Sequence, residues 1–139
     1  VTALVSIPSR AGFLAARDSG IKAVSRGFVL QAVPTGRPDW RLGLTASRKV
    51  GNAVRRNRAR RRLRALARTE LAMRARPGTD YVMIARHGTA DRDWTDLVRD
   101  LGKAVGYLHR TMDSTMDRTM DRTMERIIEH RGNGPAGVS

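Results

Sequence analysis

Residues 48–68 read RKVGNAVRRNRARRRLRALAR, and the rest of the chain is organised around this stretch. It holds Arg48, Lys49, Arg55, Arg56, Arg58, Arg60, Arg61, Arg62, Arg64 and Arg68 and no acidic residue. A run this basic is ordinarily a solvated face or an unstructured arm. Here, however, Ala59, Leu63, Leu66, Ala67 and Leu71 recur at helical spacing, which an unstructured arm has no reason to keep. The spacing predicts a helix with one apolar side packed against other elements. At roughly 100° per residue, Asn57, Arg60, Arg61, Arg64 and Arg68 fall in a sector about 100° wide beside the apolar stripe, while Arg58 and Arg62 point elsewhere. Such a helix has two basic surfaces and one buried surface.

The arrangement is unfavourable for the isolated chain. Arg56/Arg60, Arg60/Arg64, Arg64/Arg68 and Arg58/Arg62 are like-charge i, i+4 pairs, each costing ~0.2–0.5 kcal/mol, and Arg55 and Arg56 sit near the positive end of the helix dipole. Stability alone would put acids at these places. Phosphates supply the missing negative charge most simply, with Gly51 and Asn52 opening the helix so that backbone N–H groups also face an anion.

Outward from this helix, Ser9 caps an expected short helix over 10–18, with Phe13 and Leu14 on its apolar side, and Gly20 ends it. Phe28–Val33 reads as a strand, closed by Pro34, Gly36 and Pro38, and Trp40–Ala46 as a second; the two are expected to form a hairpin. Pro77 and Gly78 stop the basic helix, Tyr81–Ala85 is a short apolar strand of the kind buried in a sheet, and Asp93–Leu108 is an amphipathic helix with Asp93 as its N-cap. The expected class is α+β, a small sandwich of helices on a three- to four-stranded sheet. The domain is expected over residues 1–110, followed by an extension over 111–139.

In that extension TMDS-TMDR-TMDR-TMER repeats every four residues, so that on a helix Met112, Met116, Met120 and Met124 wind slowly into a ridge continued by Ile127 and Ile128. A solvent-exposed helical extension accounts for the pattern, and a partner-binding ridge is the alternative. The last residues, rich in glycine, are expected to be disordered.

The whole chain of 139 residues carries 27 Lys plus Arg against 13 Asp plus Glu, a formal charge of +14, which points to a polyanionic partner. Without cysteine there is no disulfide framework, thiolate metal site or thiol catalysis, and no apolar run approaches the ~20 residues of a membrane-spanning helix. The apolar Val1–Ile7 has no basic residue before it, so a secretory signal is not expected, and the expected location is the cytoplasm. Candidate catalytic groups are scarce. His87, His109 and His130 show no metal-ligand spacing, the small cluster Asp91, Asp93 and Asp96 is explained by helix capping, and neither a P-loop nor a dinucleotide fingerprint is present. No catalytic or metal-ligating residue is therefore expected in the protein.

The run Leu42–Leu66, LGLTASRKVGNAVRRNRARRRLRAL, resembles the signature of the bacterial ribonuclease P protein subunit, in which an Arg-Asn-Arg core is followed by basic residues at helical spacing. On either side, SRAGFLAARDSG and SRGFVLQA resemble that family's first helix and first strand, and DYVMIARHGTA and DLVRDLGKAV its last strand and last helix, so that roughly residues 8–108 are covered. The resemblance implies a fold with a left-handed βαβ crossover. It also implies a protein that binds a large catalytic RNA, whose complex removes the 5′ leader of precursor tRNA, with Mg2+ held mainly by the RNA. No obligate protein partner and no membrane are implied.

Carried over residue by residue, Arg56, Asn57 and Arg58 are the core of the motif, with Arg60, Arg61, Arg64 and Arg68 after it, and Ser47, Arg48, Lys49, Gly51 and Asn52 before it. These would hold the catalytic RNA and line part of a cleft for the single-stranded leader. Phe13 matches an aromatic of that cleft, where a base would stack for ~1–3 kcal/mol, or is simply core. Where many members carry a second aromatic the chain has Arg17, and where some carry a strand tyrosine it has Gln31, which shifts leader contact from stacking towards charge. A general RNA-binding protein, for example a ribosome-associated one, is the alternative that shares the charge and the helix.

Overall fold

A computed structural model of the chain describes residues 5–7 and 20–138. The chain divides into two compact units, residues 1–108 and residues 109–139. The helix expected over 10–18, with Phe13 and Arg17, lies outside the described residues.

The first unit is built on one four-stranded sheet of β1 (Ile21–Val24), β2 (Phe28–Pro34), β3 (Trp40–Thr45) and β4 (Thr79–Ala85), in the order β1-β2-β4-β3. β1 pairs antiparallel with β2, β2 antiparallel with β4, and β3 parallel with β4. The expected hairpin of the second and third strands is therefore incorrect: β4 lies between them. A tight turn does connect two strands, but it is the Ser25–Gly27 turn joining β2 to β1. Parallel neighbours need a crossover, and helix α1 (Ala53–Leu66) provides it between β3 and β4, completing the βαβ unit.

β4 is buried at six of its seven positions because it has a partner on each side and helices against it. Register places Ala32, Tyr81 and Leu42 on one face of the sheet, with Leu30 and Met83 in the next row, and all five are buried. Helix α1 contributes Ala59, Leu63 and Leu66 to the same core, and the predicted apolar stripe is thus the buried one. The helix continues through a π-helical turn, Ala67–Leu71, which keeps Ala67 and Leu71 inside, and ends with Ala72–Arg74. Gly78 then reverses the chain with a φ of 78°.

Helix α2 (Trp94–Val138) is capped by Asp93 as the sequence predicts, its Oδ1 accepting from the Thr95 amide at 2.9 Å. Leu97, Leu101 and Leu108 are fully buried along it. Gly27 is required here: a Cβ at that position would lie 2.5 Å from Leu97 Cδ2. Residues 5–7 run along the outer edge of β3, where the Leu42 amide donates to the Val5 carbonyl and the Ile7 amide to the Leu42 carbonyl.

In the second unit the chain is helical to Val138. The terminal stretch expected to be disordered is instead part of this helix. Met120, Met124, Ile127 and Ile128 are exposed along it.

Candidate nucleic-acid interface

The basic run enters the structure as a short 3-10 turn, Arg48–Val50, followed by α1. Val50 is buried and anchors the turn, while Ser47, Arg48 and Lys49 are exposed. Gly51 adopts a φ of 139°, a conformation that side chains rarely take, and a Cβ there would meet the Arg55 side chain at 2.6 Å. Asn52 then caps α1, its Oδ1 accepting from the Arg55 amide at 2.9 Å. Gly and Asn thus set the start of the helix, and no acidic residue lies in its first turn.

The arginines divide into two groups. Arg55 and Arg62 are spent on the fold. Arg55 Nε donates to the Val50 carbonyl at 3.1 Å, and its terminal nitrogen to the His87 carbonyl at 2.7 Å and to the Asp91 carboxylate. That hydrogen bond, more than the accompanying charge, holds the Asp91 carboxyl below its usual range. Arg62 donates to the carbonyls of Thr89 and Arg92, and burial lowers its proton affinity. Together the two guanidinium groups fasten α1 to the loop between β4 and α2.

The second group faces solvent. Arg58, Arg61, Arg64 and Arg68 are exposed, and Arg56 and Arg60 half-buried. Arg60 is steadied by Asn57, whose Oδ1 accepts its Nη1 at 3.1 Å, with the Ala46 carbonyl 3.4 Å from the other nitrogen. Asn57, Arg60, Arg61 and Arg64 line one open groove of about 420 Å³ with Val54 at its end, so the structure brings four of the five residues of the predicted sector onto one surface. Arg68 lies one turn further on, in the π-helical segment. No carboxylate pairs with any of these six arginines among the described residues.

Gln31 sits in the middle of β2, paired with Lys22 on β1 and Val82 on β4, and is fully buried. By register it occupies the sheet face opposite Leu30 and Met83. His87 is exposed and contributes only its backbone carbonyl to the contact with Arg55. Among the described residues, no three His, Asp or Glu side chains converge as metal ligands, and no helix is long and apolar enough to cross a membrane.

Arg55 and Arg62 fall outside the RNA-binding set read from the sequence, but that reading gave neither a part in the fold, and it pointed Arg62 away from the sector beside the apolar stripe. The available signal was spacing: Arg55, Ala59, Arg62 and Leu66 follow one another at intervals of four, three and four, on the side that carries the buried residues.

Comparison with known proteins bears on this interface. The family model described as Ribonuclease P matches residues 4–109. The "Ribonuclease P protein component" of Caulobacter vibrioides is 46% identical over 94 residues, 66% of this chain and 63% of that protein. The protein of the same description from Paramagnetospirillum magneticum is 41% identical over 113 residues, 76% of this chain and 85% of the relative. Among solved structures, the RNase P protein from Thermotoga maritima superposes with a TM-score of 0.62 at 27% identity, covering 76% of this chain and 96% of that one. The match thus spans somewhat less than two thirds of the Caulobacter protein's length and nearly all of the Thermotoga one's.

Proposed function

From the premise that the chain belongs to the bacterial ribonuclease P protein family, we propose that it is the protein subunit of a ribonuclease P ribonucleoprotein, binding a catalytic RNA and the 5′ leader of precursor tRNA so that the leader is removed. The observation that carries this reading is the row of arginines on α1 left without carboxylate partners, set beside two others of the same run that are tied into the fold. A helix that spends some guanidinium groups on packing and leaves six facing outward is charged for a ligand.

In this mechanism Arg56, Arg58, Arg60, Arg61, Arg64 and Arg68, with Arg48 and Lys49 on the preceding turn, neutralise phosphates of the catalytic RNA, releasing its counterions. Asn57 orients Arg60, and Asn52 fixes the start of the helix. Phe13 and Arg17 would contact the leader, while Gln31, whose side chain has no exposed surface, would support the cleft without touching the leader. Among the described residues no cluster of carboxylates and histidines is placed to hold a magnesium ion, and in this reading Mg2+ is held mainly by the RNA. Endonucleolytic chemistry resides in the RNA, and the polypeptide acts by binding: precursor is held better than mature product because only precursor offers the leader.

Reconstitution with the cognate catalytic RNA tests the reading. At low magnesium, adding the protein is expected to raise leader removal and to favour leader-bearing over mature tRNA. Equal affinity for the two would instead indicate a general RNA-binding protein.

A further inference from the structure

A second basic surface lies at the opposite edge of the sheet from β3. Between β1, the turn that follows it and helix α2 is a groove of about 750 Å³, walled by Lys22, Arg26, Arg86, Arg99, Lys103 and Tyr107. Its floor is held firmly. Arg86 donates to the Ser25 carbonyl, the Ser25 hydroxyl donates to the Phe28 carbonyl at 2.7 Å, and Arg92 clasps Asp100 through two hydrogen bonds of 2.6 and 3.2 Å. Asp100 is the single carboxylate in the lining, and Arg92 already neutralises it. Arg99 has a long contact of 3.4 Å with Asp96, while Lys22, Arg26 and Lys103 have no carboxylate partner among the described residues. Among the described residues the charge therefore faces the groove uncompensated, as it does on α1.

The two surfaces do not serve one strand in one pass. They are built on different elements: α1 packs against β4 and β3, whereas the groove is built on β1, at the far edge of the sheet, and on α2. The outer edge of β3 is occupied by residues 5–7, whereas no described residue pairs with the outer edge of β1. On the groove wall Arg99, Lys103 and Tyr107 succeed one another a turn apart along α2, and Tyr107 is 49% exposed. Cations in a row with an accessible aromatic ring suit a single-stranded polynucleotide better than an acidic peptide, because bases stack on the ring while phosphates meet the cations.

We propose that this groove between β1 and α2 is a second RNA-binding surface, occupied by a single-stranded segment of the same catalytic RNA that engages α1, so that the protein is gripped on two separate surfaces. The inference rests on the reading of the chain as a partner of that RNA. A large RNA can reach both surfaces, and neither then has to carry the whole affinity.

The test is titration of the full-length protein with catalytic RNA alone, over a range of salt. Lys22→Ala/Arg26→Ala/Lys103→Ala is expected to weaken binding tenfold or more at low salt and to flatten the log K against log salt slope by about two units, at ~0.7 per lost single-strand phosphate contact. Lys22→Arg/Lys103→Arg should retain the wild-type slope. Tyr107→Leu should weaken binding several-fold with the slope unchanged. An unaltered slope in the triple variant overturns the proposal, as does a loss seen only when leader-bearing precursor is added, which would make the groove a substrate site. Measured in parallel, Arg56→Ala/Arg58→Ala/Arg61→Ala keeps the outcomes separate: a flattened slope there with none in the groove variant sinks only this inference, and no change in either sinks the RNA-partner reading itself.

Discussion

The guanidinium of Arg55 meets the carboxylate of Asp91, 36 residues further along the chain, although Arg55 belongs to the most basic run in the protein. That contact, with the neighbouring one of Arg62 to the carbonyls of Thr89 and Arg92, converts two of the run's cations from ligand groups into fastenings. Arg62→Met is accordingly expected to destabilise the fold by about 1–2 kcal/mol, the loss of charge-assisted hydrogen bonds, while changing the salt dependence of RNA binding little. Denaturant unfolding and binding titrations on the same variant check both halves.

Acid should loosen this fastening. The carboxyl of Asp91 is held below its ordinary value of 3.8, chiefly by the hydrogen bond from Arg55. A depressed carboxylate contributes stability that is fully present above its unfolded value and is lost as pH falls through the lower, folded one. Asp91→Asn should therefore match the wild type in shape of the stability curve above about pH 5 and show a shallower decline below pH 4. Thermal melts from pH 3 to pH 7 make the comparison.

The platform under the arginines rests on Leu63, which is wholly buried. Leu63→Ala should cost about 2–5 kcal/mol, and with it RNA binding at temperatures where the fold is lost. Binding that survives without folded α1 would show that the cations act as an unstructured arm.

At Gly27, a methyl group would press on Leu97 Cδ2 at 2.5 Å and on Asp100 Oδ2 at 2.7 Å. Gly27→Ala should destabilise by about 1–3 kcal/mol through overpacking between the β1–β2 turn and α2. The measurement is again the unfolding midpoint, with Gly36→Ala as a comparison where steric room is ample but φ is 73°.

Much of this architecture is legible in the sequence, and the parts that are not have physical reasons. The basic helix is legible because Ala59, Leu63 and Leu66 repeat at helical spacing, and β4 because an apolar run between turn residues suits a strand with partners on both sides. β1 is not: of Ile21–Val24 only Ala23 is buried, so an edge strand of four residues leaves almost no alternation to read. The mistaken hairpin has a related cause. Pro34, Gly36 and Pro38 give the same turn signal whether the chain folds back on its neighbour or leaves a gap for a later strand, and the gap is decided by β4 forty residues on. At the interface, Asn57, Arg60, Arg61 and Arg64 were grouped correctly by helical angle alone. The separate duty of Arg55 depends on the backbone carbonyl of His87, an acceptor present in every residue and therefore invisible in composition.

The central claim is that the outward arginines of α1 are held ready for RNA phosphates by a folded scaffold. Its most direct test is the slope of log K against log salt for binding of the catalytic RNA, in the wild type and in Arg56→Ala/Arg58→Ala/Arg61→Ala. Three lost phosphate contacts at ~0.7–0.9 each should flatten the slope by about two units in a variant that still melts cooperatively. A folded variant whose slope equals that of the wild type would contradict the account.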